Sequence, residues 1–101
     1  MHVITRKRLQ EFWHIHPDAE RPLRTWLAIV RLKHYTGPAE VRQDFASASF
    51  LGPWRTVFNM GGNKYRLVVD IRYDLGRIYI RHVLTHADYD RRTRDGSLSS
   101  T

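Results

Sequence analysis

The stretch RTVFNMGGNKYRLVVDIRY, residues 55–73, decides the fold because it breaks with the helical periodicity of the residues before it. Apolar and polar residues alternate along it, and Val, Ile and Tyr are frequent, which is the pattern of β-strands. The glycine pair at 61–62 divides it into two predicted strands, 55–60 and 64–73, joined by a two-residue hairpin. Residues 77–84 repeat the pattern after a second turn. The sequence therefore predicts three consecutive antiparallel strands.

Helical periodicity dominates the sequence on the N-terminal side. Thr5 is the predicted cap of a helix that runs to about His16. Asp18 is the predicted cap of a second helix to about His34, in which apolar residues recur with the spacing of a core-facing stripe. We further expect a short strand at residues 2–4, a short helix at residues 39–45 and a loop at residues 46–53.

The C-terminal segment predicts one more helix. Thr85-His86-Ala87-Asp88 has the Ser/Thr-x-x-acid pattern of a helix start, and the helix should run to about Arg92. The expected domain therefore covers residues 1–92, and the polar residues 93–101 form a flexible tail. The predicted fold class is α+β: a small antiparallel-rich sheet with two long N-terminal helices packed on one face and a short C-terminal helix.

Composition restricts the class of protein and of partner. The chain has 101 residues, enough for one domain, and it contains no cysteine, which excludes a disulfide scaffold and a cysteine nucleophile. Without a long apolar run or a signal-peptide core, we expect a cytoplasmic protein with no membrane partner. Seventeen Lys and Arg against ten Asp and Glu give a net charge of +7. This excess indicates a polyanionic partner, nucleic acid first, unless it serves solubility alone.

The alternation along the strands predicts a basic outer face. An apolar row, from Tyr65 to Tyr73, should pack on the helices. The two-residue turns would pair Asn59 with Lys64, Asp70 with Arg81 and Arg66 with Thr85. The outward residues in this register are Arg55, Asn59, Lys64, Arg66, Arg72, Tyr79 and Arg81. Such a surface offers donors to phosphate and a ring for base stacking. For Asp70 and Arg72, a solvated strand face with ordinary cross-strand pairs is an equally good explanation, whereas it explains the other end of the face less well.

One end of this face collects groups that can transfer protons. With Thr85 as the cap of the last helix, His86 and Tyr89 lie on one helix face, and both can approach Arg66. Lys64 and Asn63 would lie nearby at the hairpin. RNA cleavage without a metal needs a base for the 2′-OH, a cation for the phosphorane and an acid for the leaving 5′ oxygen. The alternative for His86 is a helix-start side chain that hydrogen-bonds only locally.

Other chemical groupings in the sequence are weaker. The three tryptophans, Trp13, Trp26 and Trp54, are interpreted as packing residues. His14, His16 and Asp18 do not form a metal site, because helical residues two apart point in different directions. We therefore expect neither a metal nor any other cofactor.

Five motifs occur in order across residues 2–90. They are HPDAE (16–20), ASFLG (48–52), VFNMGGNKYRLV (57–68), IYIR (78–81) and LTHADYD (84–90). In these motifs the chain resembles the HigB toxins of type II toxin–antitoxin modules, with two conservative departures, Asp88 where Glu is more usual and Met60 where Ile is. The resemblance implies a RelE-like fold and ribosome-dependent endonuclease activity on messenger RNA. It also implies neutralisation by a HigA antitoxin with a helix-turn-helix, and operator binding by the complex.

The resemblance also suggests which residues form the site. Its motifs point to Asn63, Lys64, Arg66, Arg81, His86 and Tyr89. We assign Arg66 to the phosphorane, His86 or Lys64 as the base, Tyr89 as the acid or a base-stacking ring, and Arg81 as a phosphate clamp. The outward residues Arg55, Asn59 and Tyr79 complete the predicted RNA-binding set. Two other functions remain open at this point: a non-catalytic module that binds RNA or DNA, and a structural subunit that binds an acidic protein.

Overall fold

The computed structural model describes residues 1–96. Residues 97–101 of the predicted flexible tail lie outside this range. The elements in chain order are β1 (His2–Ile4), α1 (Arg6–Ile15), a 3-10 turn (Pro17–Ala19), α2 (Glu20–Arg31), α3 (Pro38–Asp44), β2 (Ser49–Phe50), β3 (Arg55–Met60), β4 (Tyr65–Arg72), β5 (Arg77–Thr85) and α4 (His86–Asp95). Within the described residues, no helix has both the length and the apolar character needed to cross a membrane.

The five strands form one sheet in the order β1-β5-β4-β3-β2. Only β1 runs parallel to its neighbour, and the other pairs are antiparallel. The core lies between the inner face of the sheet and α1 and α2; the Trp26 ring of α2, for example, lies 5.5 Å from the Phe58 ring of β3. Burial of each large apolar side chain contributes about 1.5–3 kcal/mol. The predicted α+β class and helical layer are confirmed.

Three differences from the predicted elements stand out. Ser49–Phe50, expected within a loop, pairs with β3, and two residues are too few to show an alternation. The second helix ends at Arg31 rather than His34, which lets Tyr35 turn into the core and donate to Asp44 Oδ2 at 2.7 Å. The last helix continues to Asp95 and ends at Gly96, whose φ of 75° is left-handed.

The β3–β4 connection is longer than predicted. Met60 pairs with Tyr65, so residues 61–64 form the loop, and its two glycines have φ of 58° and 69°. The predicted pair of Asn59 with Lys64 is therefore wrong, because Asn59 lies opposite Arg66. The error in register is two residues. Since side chains alternate with a period of two, the predicted faces of β3 and β4 are retained.

The β4–β5 register differs for another reason. Asp70 lies opposite Tyr79 rather than Arg81, and Arg66 lies opposite Leu84 rather than Thr85. The pairing skips Arg81, which is the extra residue of a β-bulge on β5. A bulge of one residue exchanges the faces beyond it, so Leu84 and not Thr85 shares the outer face with Arg66.

Candidate active site and nucleic-acid interface

The start of α4 is attached to the β3–β4 loop. The His86 backbone N–H donates to the Lys64 carbonyl at 2.9 Å. Thr85 Oγ1 accepts from the Asp88 N–H at 3.2 Å, so the predicted cap is confirmed. These bonds bring together the five residues that we call the hairpin cluster: Asn63, Lys64, Arg66, His86 and Tyr89.

Arg66 occupies the centre of the hairpin cluster. Its Nη1 donates to the carbonyl oxygens of Asn63 and Tyr65, at 3.1 and 3.2 Å. Its guanidinium carbon lies 5.5 Å from the centre of the Tyr89 ring. Within residues 1–96 no carboxylate forms an ion pair with Arg66. The side chain is therefore held in place while its positive charge is left for an anionic ligand.

Tyr89 rests on a small apolar cluster outside the main core. Val57, Val68 and Leu84 are its buried members, and Tyr89 packs against them. This contact sets the ring beneath the Arg66 guanidinium. Sequence reasoning missed this support, since Leu84 reaches the outer face only through the bulge. The sequence did contain one sign of this support: Val68 is the one apolar residue in the outer row of β4, and an apolar residue there indicates that something packs on the outer face.

The His86 imidazole is accessible. Its side chain is 50% exposed, and Nε2 lies 3.5 Å from Asp90 Oδ2, one helical turn away. Asp90 was not among the predicted site residues, although it belongs to the motif at 84–90.

Lys64 is paired with Asp18. Its Nζ lies 3.0 Å from Asp18 Oδ2, and the Tyr65 hydroxyl donates to Asp18 Oδ1 at 2.5 Å. The hydrogen bond from Tyr65, followed by that from Lys64, lowers the pKa of the Asp18 carboxyl. The prediction that Asp18 caps the second helix was wrong, because this carboxylate instead connects the 3-10 turn to the hairpin cluster.

The middle of the outer face contains a central triad of Arg55, Asp70 and Arg81. Asp70 accepts from Arg55 Nε at 2.6 Å and from Arg81 Nε at 2.7 Å. Burial opposes ionisation of Asp70, but the bonds from the two arginines outweigh it and lower the pKa of this carboxyl. The predicted side-chain contact between Asp70 and Arg81 is present. It is diagonal, because the residue directly opposite Asp70 on β5 is Tyr79.

The remaining predicted RNA-binding residues lie on either side of the triad. Asn59 is half-buried beside Arg66 on the neighbouring strand. Tyr79 lies opposite Asp70, with the Arg81 guanidinium 5.7 Å from its ring centre. Outside the predicted set, the Arg72 guanidinium lies 4.6 Å from the ring centre of Trp54 at the far end. Among residues 1–96, no three His, Asp or Glu side chains are grouped so as to hold a metal ion.

Comparisons with known proteins connect this geometry to a family. A family model described as the RelE-like toxic component of a toxin–antitoxin system, HigB toxin, matches residues 19–92. The chain is 26% identical over 97 residues to the mRNA interferase HigB of Escherichia coli O6:H1, covering 93% of each protein. It is 30% identical over 93 residues to the mRNA interferase toxin HigB of Escherichia coli K12, covering 89% of this chain and 88% of that protein.

The matched region contains both the central triad and the hairpin cluster. The match spans most of the chain, from the end of the 3-10 turn into α4. On this evidence the chain belongs to the HigB family of RelE-like toxins from toxin–antitoxin systems.

Proposed function

We propose that this chain is a toxin that inhibits translation by cleaving messenger RNA on the ribosome, with the substrate's own 2′-OH as the nucleophile. The observation that carries the proposal is Arg66, a cation held by two carbonyl oxygens above Tyr89, beside the loop to which the first residue of α4, His86, is attached by its backbone N–H. Family membership and the names of the two relatives support the reaction class.

The proposed reaction uses three side chains of the hairpin cluster. His86 takes the proton of the 2′-OH, whose oxygen then attacks the adjacent phosphorus. Arg66 stabilises the charge on the phosphorane with its planar fork of N–H donors. The bond from phosphorus to the 5′ oxygen breaks, and Tyr89 gives that oxygen its proton. The products are a 2′,3′-cyclic phosphate upstream and a 5′-hydroxyl downstream, and no metal takes part.

The surroundings of Lys64 favour His86 as the base. Lys64 forms an ion pair with Asp18, and an ammonium in such a pair has no lone pair with which to accept a proton. His86 is half-exposed, and a neutral imidazole has a ring nitrogen that can accept a proton. Lys64 therefore acts on phosphate as a cation.

The RNA chain follows the outer face of the sheet. Asn63 and Asn59 contact nucleotides next to the scissile bond, and Tyr79 stacks a base. Arg81, which is 47% exposed, clamps a phosphate, while Arg55 supports it through Asp70. The proposed partners are the ribosome, a HigA-type helix-turn-helix antitoxin and, through the complex with that antitoxin, operator DNA. The site of action is the cytoplasm, where translation takes place.

Induced expression without antitoxin, followed by primer extension on a long transcript, tests the proposal. We expect growth arrest and cuts inside translated regions, with a 5′-hydroxyl on the downstream fragment. Equal cutting of naked and ribosome-bound RNA would contradict ribosome dependence, and a 5′-phosphate would contradict the chemistry. Full activity in a His86→Gln variant would exclude His86 as the base. His86 would then act only through binding or local hydrogen bonds.

A further inference from the structure

Three arginine–aromatic pairs lie along the outer side of the sheet. The distances from guanidinium carbon to ring centre are 5.5 Å for Arg66–Tyr89, 5.7 Å for Arg81–Tyr79 and 4.6 Å for Arg72–Trp54. Arg66 and Arg72 are six residues apart on β4, a separation of about 20 Å. The first two pairs belong to the proposed function, whereas the third has no part in it.

The Arg72–Trp54 pair is both exposed and held in place. Trp54 is 42% exposed, whereas the other two tryptophans, Trp13 and Trp26, are buried. The Trp54 carbonyl accepts from the Ile71 N–H at 2.9 Å, which attaches this residue to β4. Two bonds to the Asp74 carboxylate, of 3.0 and 2.8 Å, orient the Arg72 guanidinium. Trp54 therefore presents an indole that is held in place, contacts a guanidinium and remains open to solvent.

We propose that Trp54 and Arg72 form a distal RNA site that stacks one nucleobase, well beyond the hairpin cluster. The proposal rests on the function proposed above, since it continues the same RNA path. Single-stranded bases stack on aromatic rings and on guanidinium planes, and this pair presents both. The base belongs either to the messenger, as it continues away from the scissile bond, or to ribosomal RNA.

The chemistry of the pair also predicts what the site does. Stacking tolerates every base because each has a π-face. The distal site therefore raises affinity for RNA without choosing the codon, and it does not touch the reacting atoms. Its loss should weaken binding and leave the rate of cleavage of bound RNA unchanged.

Tryptophan fluorescence provides a direct test, because the indole that is open to a ligand is that of Trp54. The probe is a single-stranded RNA of about ten nucleotides, within the site sizes of such surfaces, with 2′-O-methyl groups that block cleavage. We expect the wild-type protein to show a fluorescence change on binding. In an anisotropy assay with the same labelled probe, Trp54→Ala and Arg72→Ala should each weaken binding about tenfold, and Trp54→Phe should restore most of the affinity.

Arg24→Ala is the matched control. Arg24 lies 4.8 Å from the ring centre of Trp13 and bonds to Glu20, so it has the same kinds of partner as Arg72. It belongs to α2, however, which packs against the opposite face of the sheet. This variant removes the same charge, and its affinity for the probe should equal that of the wild type. Thermal melting of every variant checks that the fold is retained.

The results of these binding assays distinguish the possible roles of Trp54. Unchanged affinity in Trp54→Ala, both for the probe and for ribosomes without messenger, overturns the distal site, even if the wild type cleaves messenger as proposed. A loss of affinity for the probe in Trp54→Ala assigns the base to the messenger, and a loss of affinity for empty ribosomes alone assigns it to ribosomal RNA.

Fluorescence with other ligands separates this site from a protein-binding surface. If Trp54 fluorescence responds to antitoxin and not to RNA, the surface binds protein and the proposal is wrong. If binding depends on Trp54 but no messenger is cut, the distal site stands and the proposed function fails.

Discussion

The hairpin cluster and the central triad meet the same face of β4 through Arg66 and Asp70, which are only four residues apart. Each group contains arginine as its main cationic residue. In the triad, Arg55 and Arg81 share the Asp70 carboxylate at 2.6 and 2.7 Å. In the cluster, Arg66 is bonded to carbonyl oxygens and lies against a ring. The triad thus neutralises much of its own charge, whereas the cluster keeps a cation for a ligand. The face and the residue type are the same, and the neighbours decide the role.

The two regions also differ in what their loss does to the fold. The Arg55 and Asp70 side chains are 11% and 15% exposed, so loss of either one removes a close partner from a poorly solvated charge. His86 and Lys64 are far more exposed, and each lies within 3.5 Å of one carboxylate oxygen. We therefore expect substitutions in the cluster to affect activity, and substitutions of Arg55 or Asp70 in the triad to affect stability.

Arg66→Ala should produce the largest effect of all, on activity. Removal of a preorganised donor to a transition-state anion costs about 10²- to 10³-fold in rate. The melting temperature should stay close to the wild-type value, since Arg66 fills no core space. Arg66→Lys keeps the charge without the fork and should recover part of the rate. A large fall in melting temperature for Arg66→Ala would show that Arg66 is structural and would erase the contrast with the triad.

Asp70→Asn should produce the largest effect on stability. Loss of this carboxylate leaves Arg55 buried beside a neutral amide, and we expect destabilisation of about 2 kcal/mol. Asp74→Asn is the matched control, because the pair of Asp74 with Arg72 is exposed and should contribute less than about 1 kcal/mol. Urea denaturation measures both values. Equal losses would mean that burial does not distinguish the triad from a surface pair.

The contribution of the triad should depend on pH in one direction. The pKa of Asp70 is lower in the folded chain than in the unfolded chain, so its stabilisation is complete above about pH 4 and is lost as the pH falls through the folded pKa. The stability gap between wild type and Asp70→Asn should therefore narrow on acidification. Urea denaturation at pH 5 and near pH 3 checks this. A gap that stays constant would assign the stabilisation to packing rather than to charge.

The Asp18–Lys64 pair should give the smallest effect. Lys64 is mostly exposed and Asp18 is half-exposed, and such a pair contributes from about zero to 1 kcal/mol. A double-mutant cycle of Asp18→Asn and Lys64→Met measures the coupling free energy, and Tyr65→Phe separates the contribution of the hydroxyl that also bonds to Asp18. If the coupling free energy of this pair exceeded that of the Arg55–Asp70 pair, the cluster rather than the triad would contribute more to stability.

Sequence alone determined the fold class and most of the faces. The period-two pattern of residues 55–73 predicts β3 and β4, and their faces survive a register error of two residues because the alternation has the same period. The Thr85 cap is a local pattern that the structure reproduces. Such signals are carried by neighbouring residues, so they can be read without knowing what packs against them.

Only the tertiary structure decided which side chains meet. The bulge at Arg81 turns Leu84 to the outer face, where it supports Tyr89 together with residues of two other strands. Asp18 and Lys64 are 46 positions apart, and their contact depends on how the 3-10 turn lies against the hairpin. These contacts depend on pairing and packing between distant segments, which local propensity does not encode. The sequence therefore predicted the cationic residues of the outer face, and the fold determined which of them are neutralised and which remain for a ligand.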